Sequence, residues 1–128
     1  MSAEKGEART MATTVRFLRD SDGFFCGVGF YDHARGADNP DVDFGSRVCS
    51  AMSVLASYME VLAECAATPY RLDVRKEPPS RCVTWPVSFA MQTPTAALHR
   101  TVSALAVQYP EFVIVEEDVI KGEQTHEI

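Results

Sequence analysis

Apolar and polar positions alternate near the start of the chain, which is the pattern of a half-buried β-strand from Thr13 to Arg19. The stretch Asp20 to Gly23 follows, and it signals a hairpin turn because glycine accepts the positive φ that tight turns need. A second strand is predicted from Phe24 to Tyr31, in which Gly27 and Gly29 indicate a bulge or a close backbone approach. The chain is therefore expected to open with a β-hairpin.

The apolar period then changes from two residues to three and four, which predicts an amphipathic helix from Ser46 to about Ala66. Ser46 has the side chain of a helix N-cap, which would make Cys49 the third residue of the helix. The pair Thr68-Pro69 is predicted to close it.

The second half of the chain predicts four more elements. They are a half-buried strand over 70–75, a strand over 81–91 that Pro86 interrupts, a helix from Thr93-Pro94 to Pro110, and an apolar strand over 112–115 before an acidic tail. The order is β-β-α-β-β-α-β. The fold class is therefore predicted to be α+β, with two helices packed on a mainly antiparallel or mixed five-stranded sheet.

The length of 128 residues and a hydrophobic content of 46% fit one domain, predicted over 13–120 between polar tails at 1–12 and 121–128. No apolar run reaches membrane-spanning length and the N-terminus has no signal-like segment, so we expect a cytoplasmic protein without membrane contact. The net charge of −6 argues against direct nucleic-acid binding. The acidic balance fits either simple solubility or attraction of a basic peptide.

Four cysteines lie at positions 26, 49, 65 and 82, and we expect free thiols because a chain of this size folds without disulfides in a reducing compartment. None of them forms a C-x-x-C pair, so they make a weak zinc site. The acidic stretch over 38–43 lacks the glycine and the distal glutamate of an EF-hand. We therefore expect neither a metal nor another cofactor.

His33 and Cys49 are the candidate catalytic pair. A cysteine at a helix start is easily ionised, and a histidine on a nearby loop is placed to take its proton. The alternatives are a cysteine packed on the inner helix face and an ordinary loop histidine. His99 is expected to be solvated, and Cys65 and Cys82 to be packing residues.

The residues around this pair resemble the bacterial ribosomal-processing cysteine protease family, Prp. Residues 32–37 read Asp-His-Ala-Arg-Gly-Ala, where the family has a Gly-His-Ala-Gly-Tyr-Ala-like stretch. Residues 46–53 read Ser-Arg-Val-Cys-Ser-Ala-Met-Ser, similar to the family's Asp-Ile-Val-Cys-Ala-Ala-Val-Ser. The chain departs from the family at Asp32 and Ser46, and its loop is longer by about four residues.

The resemblance implies a cysteine endopeptidase that removes an N-terminal extension from large-subunit ribosomal protein twenty-seven, and a homodimer. Cys49 would be the nucleophile and His33 the general base. Ser53, Ser46 and Asp43 would position the substrate, with Asp43 or Asp32 replacing the family aspartate. The alternative function is a non-catalytic dimeric module that binds a ribosomal protein or peptide. A metal-binding or redox protein that uses the four cysteines is a third, weaker reading.

Overall fold

A computed structural model of the protein describes residues 12–32, 42–76 and 79–120, and gives no side-chain placement for Asp32 or for 42–49. Five strands and two helices follow one another in the predicted order. They are β1 (Thr13–Arg19), β2 (Phe25–Asp32), α1 (Val42–Cys65), β3 (Arg71–Lys76), β4 (Pro79–Thr84), α2 (Phe89–Gln108) and β5 (Val113–Val119). The predicted α+β class with two helices and five strands is confirmed.

The strands form one mixed sheet in the order β3-β4-β2-β1-β5. Only the β1–β5 pair is parallel, because the chain reaches β5 through the crossover helix α2, whereas hairpins join the other neighbours in sequence. The predicted turn between β1 and β2 is confirmed: the Asp20 N–H donates to the Phe24 carbonyl at 2.9 Å, and Gly23 has a φ of 90°. The predicted close approach at Gly27 is also present, since an added Cβ there would lie 2.9 Å from Leu18 Cδ1.

Both helices cover the same face of the sheet, where alternate strand residues point into the core. Phe17 and Val28 lie opposite each other on β1 and β2 and are fully buried beneath the helices. Three helix methionines complete the centre of the core, Met52 and Met59 from α1 and Met91 from α2. No helix within the described residues is both long and apolar enough to cross a bilayer.

The predicted strand over 81–91 is wrong in its second half, because β4 ends at Thr84 and α2 already begins at Phe89. The Gln92 side chain accepts from the Phe25 N–H at 2.8 Å and donates to the Phe25 carbonyl at 2.9 Å, which fixes the first turn of α2 against β2. Pro94 therefore lies inside the helix rather than at its first position. The position of the proline therefore predicted the start of the helix with an error of about one helical turn.

The prediction that β3 is half-buried is also wrong, because all six of its residues are exposed. Leu72 and Val74 retain 39% and 51% of their accessible surface although they lie on the face that carries the helices. β3 is the edge strand beside β4, and α1 makes its main contacts with β2 and β4. Alternation along a strand cannot show how far a helix extends across the sheet.

The acidic residues after Val115 belong to β5 rather than to a tail. Two arginines of β1 pair with them: Arg16 donates to Glu116 at 2.9 Å and Arg19 to Glu117 at 3.1 Å. These ion pairs offset the repulsion between neighbouring carboxylates, so the strand continues.

The expectation that His99 is solvated is wrong, since its ring lies edge-on to Phe17 with centroids 4.8 Å apart. His99 Nε2 is also 2.7 Å from a carboxylate oxygen of Glu117, which ties α2 to β5.

Glu117→Gln is expected to cost stability at neutral pH and progressively less in acid. Burial raises the pKa of Glu117, but the hydrogen bonds and charges of Arg19 and His99 outweigh it, so the pKa lies below the ordinary 4.5. A depressed folded-state pKa stabilises the protein above the unfolded-state value and loses that effect as pH falls through the folded-state value. The measurement is urea unfolding of both proteins at pH 7 and below pH 4.5.

Glu111→Gln, an exposed glutamate in the turn before β5, controls for the loss of one negative charge. A Glu117→Gln effect that stays constant from neutral pH into acid would contradict the prediction.

Candidate active site

A groove of about 240 Å³ runs between α1 and the β3–β4 hairpin. Its apolar lining includes Phe30 of β2, Met52 of α1 and Val74 of β3. Three serines line it, Ser53 and Ser57 one helical turn apart on α1, and Ser80 on β4. An apolar wall with a few hydroxyl groups is suited to holding a short extended segment of another chain.

Arg81 and Arg75 supply the charged groups of the groove, and Arg81 is held by Glu60 of α1. The hydrogen bond from Arg81 Nε to the Glu60 carboxylate raises the pKa of Arg81, so the guanidinium stays charged. The pair joins α1 to β4 across the sheet and thereby fixes the spacing of the groove walls.

Of the predicted site residues, Ser53 is the one that the structure places in the groove. Cys49 lies in α1, four residues before Ser53, and residues with that spacing share one face of a helix. Asp43 and Ser46 also lie in α1, but no side-chain placement is described for them or for Cys49. His33 lies outside the described residues.

The predicted start of the helix at Ser46 is wrong, because α1 begins at Val42 and Cys49 is its eighth residue. The N–H groups without a partner inside a helix are those of its first four residues, here 42–45. Cys49 therefore lacks the helix-terminus effect on which the sequence argument relied. Phe44 continues the apolar spacing of the helix towards its N-terminus. Gly45 disfavours a helix, but it costs only about 1 kcal/mol of stability inside one.

The end of β2 and the middle turns of α1 lie near the groove. Asp32, the last residue of β2, pairs with Thr13, and Thr13 lines the groove. At the other end, α1 leads through Cys49 to the groove residues Met52 and Ser53. The end of β2 and the α1 turn that follows Cys49 thus border one cavity.

The described cysteines outside the candidate pair are free, and two of them are poor nucleophiles. Burial raises the pKa of Cys26 to about 11, and the carboxylate of Asp20 adds to the effect. Burial also raises the pKa of Cys82, against a smaller opposing effect of its hydrogen bond with Tyr31. Both stay protonated, and the thiolate is the nucleophilic form.

Cys65 is exposed, but sixteen residues of helix separate it from Cys49, which corresponds to about 24 Å along the axis. Among the described residues, no cluster of three or more histidine, cysteine or acidic side chains is arranged to hold a metal ion.

Sequence reasoning missed Ser57, Ser80 and the Arg81–Glu60 pair. Ser57 follows Ser53 by four residues, so helical spacing already carried a signal for it. Ser80 and Arg81 approach α1 only because β4 pairs with β2 in the sheet, and nothing in their local sequence indicates this.

The fold and the groove define an α+β protein with a groove of about 240 Å³ beside a helix. No family model matches the chain, and no curated protein matches it. Among solved structures, SMU.848 from Streptococcus mutans is similar, with a TM-score of 0.66 and 20% identity over 85% of this chain and 96% of that one.

The chain has the fold of the ribosomal processing protease Prp from S. aureus. Prp in complex with a covalently linked product peptide matches with a TM-score of 0.62 and 13% identity, over 83% of this chain and 99% of Prp. Prp in complex with a substrate peptide matches over the same shares, with a TM-score of 0.51 and 16% identity. The resemblance predicted from residues 32–53 is thus confirmed at the level of the fold.

Proposed function

We propose that this protein is a cytoplasmic cysteine endopeptidase that removes an N-terminal extension from a large-subunit ribosomal protein. The observation that carries the proposal is the position of the groove. It lies between the end of β2, which His33 follows, and the turn of α1 that leads from Cys49 to Ser53. The likeness to a Prp structure that holds a covalently linked product peptide supports a covalent mechanism on this fold.

In the proposed reaction His33 takes the thiol proton, and the Cys49 sulfur attacks the carbonyl carbon of the scissile peptide bond. The tetrahedral oxyanion collapses to a thioester, and the proton passes from His33 to the leaving amine. Water then hydrolyses the thioester, which releases the N-terminal fragment and restores the thiol. Ser53 positions the peptide within the groove, while Ser46 and Asp43 act from the preceding turns of α1.

The net charge supports the proposed substrate class. The protein carries a net charge of −6, so long-range attraction favours a basic partner such as a ribosomal protein. The groove itself combines apolar side chains with hydroxyl groups and two arginines. We infer that apolar side chains of the extension enter the groove, while the basic body of the substrate is attracted by the acidic surface.

One observation favours the second candidate, a non-catalytic module that binds the same peptide. Because α1 begins at Val42, Cys49 lacks the unpaired N–H groups that would stabilise its thiolate. Activation of the thiol therefore depends on His33 alone.

The reactivity of the thiols tests which candidate applies. In a Cys65→Ser background, Cys49 is expected to be alkylated by iodoacetamide at pH 6 about fivefold faster than Cys65 is in the Cys49→Ala protein. The reason is that a neighbouring imidazole keeps more of the thiol ionised in mild acid. The rates are read from intact mass over a range of pH.

Cys26 and Cys82 serve as internal references, because burial raises the pKa of both thiols and they should react slowly in every variant. Equal rates for Cys49 and Cys65 at all pH values would remove the catalytic assignment and favour the binding module.

A further inference from the structure

The groove carries positive charge although the protein as a whole is acidic. The described residues that line it include two arginines, Arg75 of β3 and Arg81 of β4, and no aspartate or glutamate. The whole chain has a net charge of −6. A side chain that enters the groove therefore meets a local charge opposite in sign to the one that the protein presents at long range.

The two arginines differ in how firmly each is held within the fold. Arg81 Nε donates to the carboxylate of Glu60, whose side chain is only 16% exposed, so this charge is matched by α1. Arg75 Nη2 lies 3.5 Å from Asp73 Oδ2, and these two side chains retain 69% and 63% of their accessible surface. An ion pair that is this long and this exposed contributes little to stability. Arg75 can therefore exchange Asp73 for a carboxylate on a bound chain at little cost.

The surroundings of Arg75 favour recognition of a carboxylate on a peptide. Arg75 lies on the β3 side of the groove, and the hydroxyl groups of Ser53 and Ser57 belong to α1 on the other side. The nearly buried Phe30 and Met52 supply apolar lining, beside which an ion pair is screened less than in open water. A guanidinium binds a carboxylate through two parallel N–H···O bonds, which fix the position of the acidic group as well as its charge.

We propose that Arg75 determines substrate specificity by pairing with an aspartate or glutamate at one fixed position of the peptide that occupies the groove. This proposal rests on the proposed function, because it takes the groove to be the peptide site. Recognition then uses two charges of opposite sign. The acidic surface attracts the basic body of the substrate, whereas Arg75 selects an acidic side chain in the extension. A peptide with lysine at that position is repelled by Arg75.

Peptide binding to the Cys49→Ala protein tests the role of Arg75 without any cleavage. The probes are short, C-terminally amidated peptides in which one position at a time is glutamate, glutamine or lysine and the others are mixtures of alanine, leucine, phenylalanine and serine. At one position glutamate should bind about tenfold more tightly than lysine. The net charge of the protein favours lysine at every position, so a glutamate preference at one of them requires a local cation.

Substitutions of two arginines on the same strand identify the cation. In the Cys49→Ala background, Arg75→Ala should abolish the glutamate preference and Arg75→Glu should reverse it in favour of lysine. Arg71→Glu is the matched control, because Arg71 lies about 13 Å away along β3 and is not among the described residues that line the groove. This control makes the same change in net charge and should leave the preference as it was. Circular dichroism of each variant checks that the fold is intact.

Four results would overturn the assignment of Arg75. They are the absence of a glutamate preference at every position, a preference that survives Arg75→Ala, a preference that Arg71→Glu removes equally, and a preference seen only with peptides that carry a free terminal carboxylate.

Cleavage by the active protein separates this proposal from the proposed function. Cleavage of the ribosomal protein without a preference that depends on Arg75 would leave the endopeptidase and remove the specificity. A preference that depends on Arg75 in a protein that does not cleave would assign the same specificity to the non-catalytic module.

Discussion

Cleavage of the same organism's ribosomal protein twenty-seven is expected to fall by at least about 10³-fold when Cys49 is replaced by alanine. The proposed reaction has no other nucleophile, since Cys26 and Cys82 hold their protons and Cys65 lies at the far end of α1. Removal of the sulfur therefore removes the thioester step itself. The measurement is intact mass of the substrate, which for wild type should show one N-terminal truncation.

Cys65→Ala is the matched control, because it removes an exposed thiol on the same helix and should leave cleavage unchanged. Truncation that persists in Cys49→Ala would remove Cys49 as nucleophile. If wild type binds the substrate without cutting it, the non-catalytic module is the better description. Neither cleavage nor binding would leave only the fold in common with Prp.

His33→Ala is expected to lower the turnover rate by about 10²- to 10⁴-fold, the usual contribution of a general base. The Michaelis constant should change little, because the histidine acts on a proton rather than on substrate binding. The variant should also recover part of its rate as pH rises, since the Cys49 thiol then ionises without help. Turnover measured against pH separates this role from a merely structural one.

His126→Ala provides the control, since no role is assigned to that histidine. A His33→Ala protein with the pH profile of wild type would remove His33 from proton transfer. The alkylation rate of Cys49 in the same variant gives an independent reading, because it requires no substrate.

The sequence by itself determined the type and order of the elements. Periods of two residues in the strands and of three to four in the helices are local, and each records which side of an element meets the core. The turn at Asp20–Gly23 was equally local, because it depends on a glycine with positive φ and on hydrogen bonds within five residues. The Cys49–Ser53 spacing likewise followed from the helix period alone.

The tertiary structure decided the limits of those elements and what surrounds them. α1 begins four residues before its expected cap, and α2 begins before Pro94, where Gln92 bonds to the backbone of β2. The acidic end of β5 continues as a strand because its carboxylates pair with arginines that lie about a hundred residues earlier in the chain. For α2 and β5 the deciding partner is distant in sequence, so local propensity had no access to it.

The candidate site divides in the same way. Its motif, His33 and the helix that carries Cys49, was readable as a pattern of residue types. The groove beside that helix was not, because Ser80, Arg81 and Val74 reach it only through the pairing of β2, β4 and β3. The exposure of β3 was likewise decided by the tertiary structure. It depends on how far α1 extends across the sheet, and the packing between elements sets that distance.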